Sequence, residues 1–409
     1  MASSDVEAAR GLLSATAVRD HAHRMLDLGV AGKLEHWTVD LGRLPATAAY
    51  VAEVVRAQYP TLAVPFHARW RHFTVAGRDL WAELADRPWP SPAARARAAF
   101  DLAIVSVLLD AGSGPGWSYA DAATGRVLTR SEGLAIASVR MFEAGAFSSN
   151  PADPLRADSL ALQALTAEAL AEGFQVTDVN PLVGLDGRAT LLRRLGEQSA
   201  SRPDLFALAD TARPGGLFDL LSARAENRRL PAPAILDALL EALGPVWQGR
   251  PTLGGVALGD CWPHPAMGEG AEAFVPIHKL SQWLSYSLVE PLQEAGTVVT
   301  DLDGLTGLAE YRNGGLFMDL GVLTLRDPAD VQKAWPVSDP LVVGWRSMTV
   351  ALLDRIAPLV LAELGVTAEQ MPLASVLEGG TWAAGRKAAA AAREGGGPPL
   401  KIVSDGTVF

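Results

Sequence analysis

The chain has 409 residues, 49% of them hydrophobic, and a formal net charge of -11. That balance suits a globular protein with a sizeable core and argues against a nucleic-acid partner, since phosphate binding needs a basic surface that releases counterions. The single cysteine, Cys261, excludes an internal disulfide framework and a multi-cysteine zinc site, and it predicts a reducing, cytoplasmic location.

The first residues, MASSDVEAARGLLSATAVRDHAHRML, lack the basic start, apolar centre and small-residue cleavage site of an export signal. No apolar run approaches the roughly 18 residues of a membrane span. Helical periodicity dominates to about Val55, with Leu12, Leu13, Val18, Met25 and Leu26 in one segment and Ala46 to Val55 in the next. Leu62 to Val75, LAVPFHARWRHFTV, reads instead as an extended run. There His67, Arg69 and Arg71 alternate, so a strand would place all three on one face as a cationic stripe. Such a stripe could grip a phosphate or carboxylate; a salt-bridged edge strand has the same pattern.

Ser91 and Pro92 predict a helix start, and the run from Ala103 to Leu109 is apolar nearly all round, as in a deeply buried helix. It ends at Asp110, where a carboxylate meets the negative end of the helix dipole and needs compensation or a function. Asp110 could also cap the Gly112 to Gly116 turn, which presents Trp117 and Tyr119 and matches no phosphate-loop spacing. Thr129 to Phe147 predicts a further helix, and Ser148 to Pro154 a loop. Leu160 to Leu170 has the pattern of one amphipathic helix, and Arg188, Arg193 and Arg194 that of a solvated helix face. Gly254 to Met267 predicts a loop, Val342 to Val360 a helix, and KIVSDGTVF a terminal strand. The predicted class is therefore mainly α with a few short strands. Its predicted organisation is a single large helical unit, divisible into lobes 1–150 and 151–409.

The stretch Pro276 to Leu323 stands apart. Leu280, Trp283, Leu284, Ser287 and Leu288 share one helical face, with Lys279, Gln282 and Tyr286 on another. Asp303 then predicts an N-cap for a helix whose apolar face, Leu305, Leu308 and Ala309, is broken by Glu310, Tyr311, Arg312 and Asn313. Gly314 and Gly315 follow, each costing about 1 kcal/mol against alanine in a helix. They imply close approach of another backbone, or room for a ligand beside Glu310; an ordinary helix end with a surface ion pair also fits. No HExxH, nucleophile elbow or dinucleotide fingerprint occurs, so the residues imply no metal and no cofactor. Carboxylates remain, Asp110, Glu132, Asp303 and Glu310, among lysine, arginine and aromatic residues. They suit hydrolysis through a cationic transition state.

In order and over nearly the whole length, FHARWRHF, SVLLDAG, RSEGLAIAS, FQVTDVNPLVGLDGR, HKLSQWLSYSLVEPL, LTGLAEYRNGGLFMDLGVL, LEGGTWAAGR and SDGTVF resemble the uracil-catabolism protein family of fungi and bacteria. That resemblance implies a place in a uracil-degrading route with ribosylurea as an intermediate and urea as a product. A fainter likeness, over a minority of the chain, joins HKLSQ and LTGLAEYRNGGL, with Trp345-Arg346, to the K-R-A-Q and F-A-D-Y-R segments of queuosine salvage proteins. Those proteins cleave an N-glycosidic bond, and they imply a helical architecture like that of helix-hairpin-helix DNA glycosylases. Lys279 and Gln282 match the first segment and Glu310, Tyr311 and Arg312 the second, with glutamate in place of aspartate. Gly344 departs from the acidic residue usual in the uracil family, which bears on a contact to Arg346.

Together these imply an N-ribosidase that releases urea from ribosylurea or its 5-phosphate, with no nucleic-acid or membrane partner. Glu310 is the expected carboxylate at the anomeric centre and Asp110 the second acid. Lys279 and Arg312 are expected on phosphate or ribose hydroxyls, His67, Arg69 and Arg71 at the anionic end, and Trp117 and Tyr119 as pocket walls. An amidohydrolase acting on the opened pyrimidine and a non-enzymatic binder of intermediates are the alternatives.

Overall fold

The computed structural model describes residues 3–208 and 211–403. Helices dominate, and among the described residues each strand is two or three residues long and pairs with a single partner. None of the described helices is long and apolar enough to cross a membrane. The chain forms two compact units, each assembled from separated segments. One comprises the segment ending at His67 together with Arg250–Gln282 and Asp301–Val403; the other comprises Ala68–Gly249 and Trp283–Thr300.

In the first unit the long helix Pro340–Leu364 packs against Ala15–Val30 and Leu44–Gln58. Its residues from Leu341 to Leu353 are buried on every side, so this helix runs through the middle of the core. Ser14 starts Ala15–Val30 by accepting from the Ala17 amide at 3.2 Å, and Pro45 sits in the first turn of Leu44–Gln58. Short ladders stitch distant segments: Trp37–Val39 runs antiparallel to Leu323–Leu325, and Cys261–Pro263 antiparallel to Phe274–Pro276. The predicted terminal strand is present as Lys401–Val403, parallel to Ala334–Pro336. The rest of the predicted segment, SDGTVF, lies outside the described residues.

The second unit is built on Pro92–Leu108, whose residues are buried from Ala98 to the end. Ser91 caps it as predicted, accepting from Ala94 N at 3.1 Å. Around it lie Arg130–Glu143, Leu185–Ser201 and Gly216–Arg224. Within the helix, Asp101 is fully buried; its carboxylate takes Arg213, the Ala157 amide at 3.1 Å and the Gly215 amide at 2.6 Å. One acid thereby ties three chain segments together.

Several expectations are corrected. Leu62 to Val75 is not one strand: Arg69–Phe73 is a 3-10 turn, and the strand of this segment is Thr74–Val75. The reason is tertiary, because Ser287 Oγ accepts from Arg69 N at 2.9 Å and Ser287 O from the Trp70 indole at 2.6 Å. Leu160 to Leu170 is two helices, Ser159–Ala164 and Ala167–Gly173, because Leu165 is extended and Thr166 recaps the chain. Gly254 to Met267, expected as a loop, contains strand residues at Val256–Ala257 and Cys261–Pro263. Arg188 is wholly buried rather than solvated. It donates to the carbonyls of Leu109, Val183, Ala111 and Gly112, so it serves the C-terminal end of Pro92–Leu108. Burial pushes its guanidinium down to about 10, against the opposing charge of Asp110.

Candidate active site

The helix predicted from Asp303 begins later. Leu302–Gly304 is a single 3-10 turn, Asp303 accepts from Leu373 N at 3.1 Å, and Leu305 to Ala309 are buried but irregular. The helix is Tyr311–Asp319, and Glu310 is its N-cap. Glu310 Oε1 accepts from Asn313 N at 2.7 Å and Oε2 from Arg312 N at 3.0 Å, which explains why a charged residue interrupts the apolar run. Gly314 and Gly315 do not open space for a ligand. A Cβ on Gly314 would stand 2.7 Å from the Trp345 indole, and one on Gly315 3.2 Å from Pro399. Another side chain's approach, rather than a backbone's or a ligand's, selects the first glycine.

Glu310 is buried, and desolvation raises its pKa against the charge of Lys279, the two capping amides and the charge of His67. A carboxylate so placed is short of solvent and faces cations. Lys279, itself buried, opens the helix Lys279–Glu294, whose first turn belongs to the first unit. Asp260 anchors that turn. Its Oδ2 accepts from Lys279 N at 3.1 Å, while Arg346 reaches the same carboxylate through both terminal nitrogens at 2.7 and 2.8 Å. Burial opposes the charge on Asp260, but Arg346 and the Trp262 indole outweigh it and hold the carboxyl well below the usual range. Gly344 therefore does not leave Arg346 without an acid; a Cβ there would meet Trp37 and His264 at ordinary contact distances.

His278, just before Lys279, adopts φ 47°, uncommon for a residue with a side chain. Its Nε2 lies 3.0 Å from Leu12 O, which can only accept, so the proton sits there and Nδ1 keeps its lone pair. Gln282 and Asn313 grip one stretch of chain: Gln282 Oε1 accepts from Thr306 N at 3.3 Å, and Asn313 Nδ2 donates to Leu308 O at 3.1 Å. Both side chains are wholly buried. Among the described residues, Gln282 Nε2, Asn313 Oδ1 and His278 Nδ1 have no hydrogen-bond partner. Arg312 turns back to Gly396 O at 2.8 Å and lies over the Tyr311 ring at 4.7 Å.

The expected stripe does not form. His67 belongs to the first unit, where its Nδ1 lies 2.5 Å from Glu378 Oε2. Arg69 and Arg71 belong to the second unit, and a 3-10 turn sends them different ways. Arg71 meets Glu290 at 2.7 Å, whereas Arg69, with no exposed surface, donates to Ser106 Oγ at 2.8 Å and Asp110 Oδ1 at 2.7 Å. Its guanidinium also lies 5.5 Å from the Trp283 ring centre. Asp110 further accepts from Ser131 Oγ at 2.6 and 2.7 Å. The compensation demanded by its place at a helix end is thus Arg69 and Ser131. We expect Ser131→Ala to lower stability by about 1.5–3 kcal/mol, since it strips hydrogen bonds from a charged pair; a shift in denaturant midpoint measures it. Trp117 is a core residue whose indole donates to Phe174 O at 2.9 Å, and Tyr119 begins a hairpin strand, Tyr119–Asp121.

In the first unit the structure thus gathers Glu310, Lys279, Gln282, Arg312 and His67, and adds Asp260, His278, Asn313 and Glu378. Residues 11–409 match a family model described as "Protein of unknown function (DUF1688)". Protein urg3 of Schizosaccharomyces pombe is 40% identical over 97% of this chain and 98% of its own length. Uracil catabolism protein 4 of Lachancea kluyveri is 36% identical over 92% of this chain and 93% of its own.

The chain belongs to the uracil-catabolism protein family.

Two of the motifs that carried the family resemblance meet at this site. LEGGTWAAGR supplies Glu378, and its Gly385 lies against the helix that Glu310 caps: a Cβ there would stand 2.2 Å from Arg312 O. Glu378 precedes paired glycines, the one signal in the sequence that could have marked it. We expect Gly385→Ala to cost about 1–3 kcal/mol by overpacking and to displace the Glu310 cap, read as a lowered melting temperature.

Proposed function

We propose that the protein acts in uracil catabolism as an N-ribosidase, hydrolysing ribosylurea or its 5-phosphate to urea and the free sugar. The observation that carries this reading is Glu310, a buried carboxylate fixed by two backbone amides and faced by the charges of Lys279 and His67. A carboxylate held this way can stabilise an oxocarbenium-like sugar and accept the proton of the attacking water without reorganising. Lys279 supplies a cation for ribose hydroxyls or phosphate. Gln282 Nε2 and Asn313 Oδ1, a donor and an acceptor on amides that hold the same stretch of chain, complement the carbonyl and N–H edge of a ureido group.

In this reading the helical architecture is that of the helix-hairpin-helix glycosylases, and the substrate is a small cytoplasmic metabolite. Purified protein incubated with ribosylurea and with its 5-phosphate, followed by mass spectrometry, tests the assignment. Urea together with ribose or ribose phosphate is the expected outcome. Ammonia or a three-carbon acid released from an opened pyrimidine, with the ribose still attached, would replace it by an amidohydrolase. Binding without turnover would replace it by a non-enzymatic role.

A further inference from the structure

Two buried amides hold the chain that leads into Glu310. Gln282 Oε1 accepts from Thr306 N at 3.3 Å and Asn313 Nδ2 donates to Leu308 O at 3.1 Å. Thr306 N can only donate and Leu308 O can only accept, so each amide is fixed in one orientation, with Gln282 Nε2 and Asn313 Oδ1 on its other side. Among the described residues neither atom has a hydrogen-bond partner, and both side chains are wholly buried. The anchor residues Thr306 and Leu308 are two apart, so their α-carbons are at most about 7 Å distant. Asn313 N is itself 2.7 Å from Glu310 Oε1, so its free oxygen lies within one side chain's length of that carboxylate. Gln282 follows Lys279 by three residues on Lys279–Glu294 and shares its face, and Lys279 is the foremost charge acting on Glu310. A buried donor and a buried acceptor left unmet destabilise the fold. A ureido group would meet both.

We propose that Gln282 is a catalytic residue whose Nε2–H binds the carbonyl oxygen of the departing urea, so that the substrate class is N-glycosides with a carbonyl next to the glycosidic nitrogen. This rests on the ribosidase reading of Glu310. Urea nitrogen holds an electron pair poorly, but conjugation moves the charge onto oxygen as the C–N bond breaks, and a fixed donor there stabilises it. Water oxygen bonds to the anomeric carbon, the C–N electron pair passes into the N–C–O unit, and Glu310 takes one proton from the water. That proton then passes to the urea nitrogen, which restores Glu310 and consumes one water in all. Asn313 Oδ1 accepts from the ureido N–H and fixes the orientation of the leaving group.

The test compares turnover of ribosylurea and ribosylthiourea, since sulfur is a much weaker hydrogen-bond acceptor than oxygen. Gln282→Glu keeps an oxygen for Thr306 N and loses the donor, whereas Gln282→Met loses both; thermal melts check that each folds. Gln282→Glu should lower kcat on ribosylurea about 10²–10³-fold, as loss of one oxyanion donor does, and on ribosylthiourea less than about tenfold. Both losses are read on one preparation, so their ratio is independent of the fraction folded. The deficit on ribosylurea should narrow as pH falls, because the introduced carboxyl donates again once protonated. Equal losses on the two substrates, or wild-type kcat in Gln282→Glu, overturns the catalytic role of Gln282 while the ribosidase reading stands. Should wild type leave the thiourea uncut, the ribosylurea kcat of Gln282→Glu and its pH dependence decide. Should neither variant fold, inhibition of wild type decides: urea is expected to inhibit more strongly than thiourea, and equal or weaker inhibition overturns the donor. Wild type that releases no urea from ribosylurea or its phosphate overturns both readings.

Discussion

Glu310→Gln is expected to abolish urea release, lowering kcat by at least about 10³-fold, while leaving the protein folded. Glutamine keeps an oxygen for the Asn313 amide but carries neither the charge nor the basicity that the transition state requires. Its stability should change with pH in a definite direction. Burial raises the pKa of Glu310 in the folded state, so its contribution is full below the ordinary glutamate range and is lost as pH rises through the folded value. Near neutral pH the buried charge carries a desolvation cost that glutamine lacks, whereas the glutamine NH2 faces the Arg312 N–H and loses one capping bond, so the melting temperature of the variant should fall relative to wild type as the pH is lowered. Steady-state urea release and melts at neutral and acid pH measure this, and a folded variant with full activity would remove Glu310 from the chemistry.

Asp260→Ala is expected to cause the largest loss of stability, about 3–5 kcal/mol, because it takes the carboxylate from a buried guanidinium. It also releases the Lys279 amide, so the first turn of Lys279–Glu294 loses its anchor. The folded pKa of Asp260 is depressed, so its stabilisation is present above the ordinary aspartate range and is lost as pH falls toward the folded value. The gap between wild type and variant should accordingly narrow in acid. Asp260→Leu combined with Arg346→Met should recover most of the loss, since no lone charge is left buried. Urea denaturation measures both, and a loss under about 1 kcal/mol would mean that solvent screens the pair.

Glu310, Lys279 and Arg312 stood out in the sequence because ionisable residues interrupt the apolar periodicity there. Their geometry could not be read from it. Local pattern predicted a helix running through Glu310, whereas the chain places it one step outside, as the cap. The alternation of His67, Arg69 and Arg71 was real but misleading. It describes a common face only if the backbone is extended, and Ser287, more than 200 residues away, draws that backbone into a 3-10 turn. Glu378 was harder to find, since it lies in Val376–Trp382, a π-helix whose spacing follows neither the 3.6 nor the 2.0 period on which pattern reading depends.

By itself the sequence determined the mainly helical class, the Ser91 cap, the buried character of Pro92–Leu108 and the family, because these depend on composition, local propensity and order along the chain. Only the tertiary structure decided which charges meet. Arg69 with Asp110, Arg346 with Asp260 and His67 with Glu378 are separated by 41, 86 and 311 residues. Electrostatic energy depends on distance and desolvation in space, and neither is encoded in the neighbourhood of any single residue.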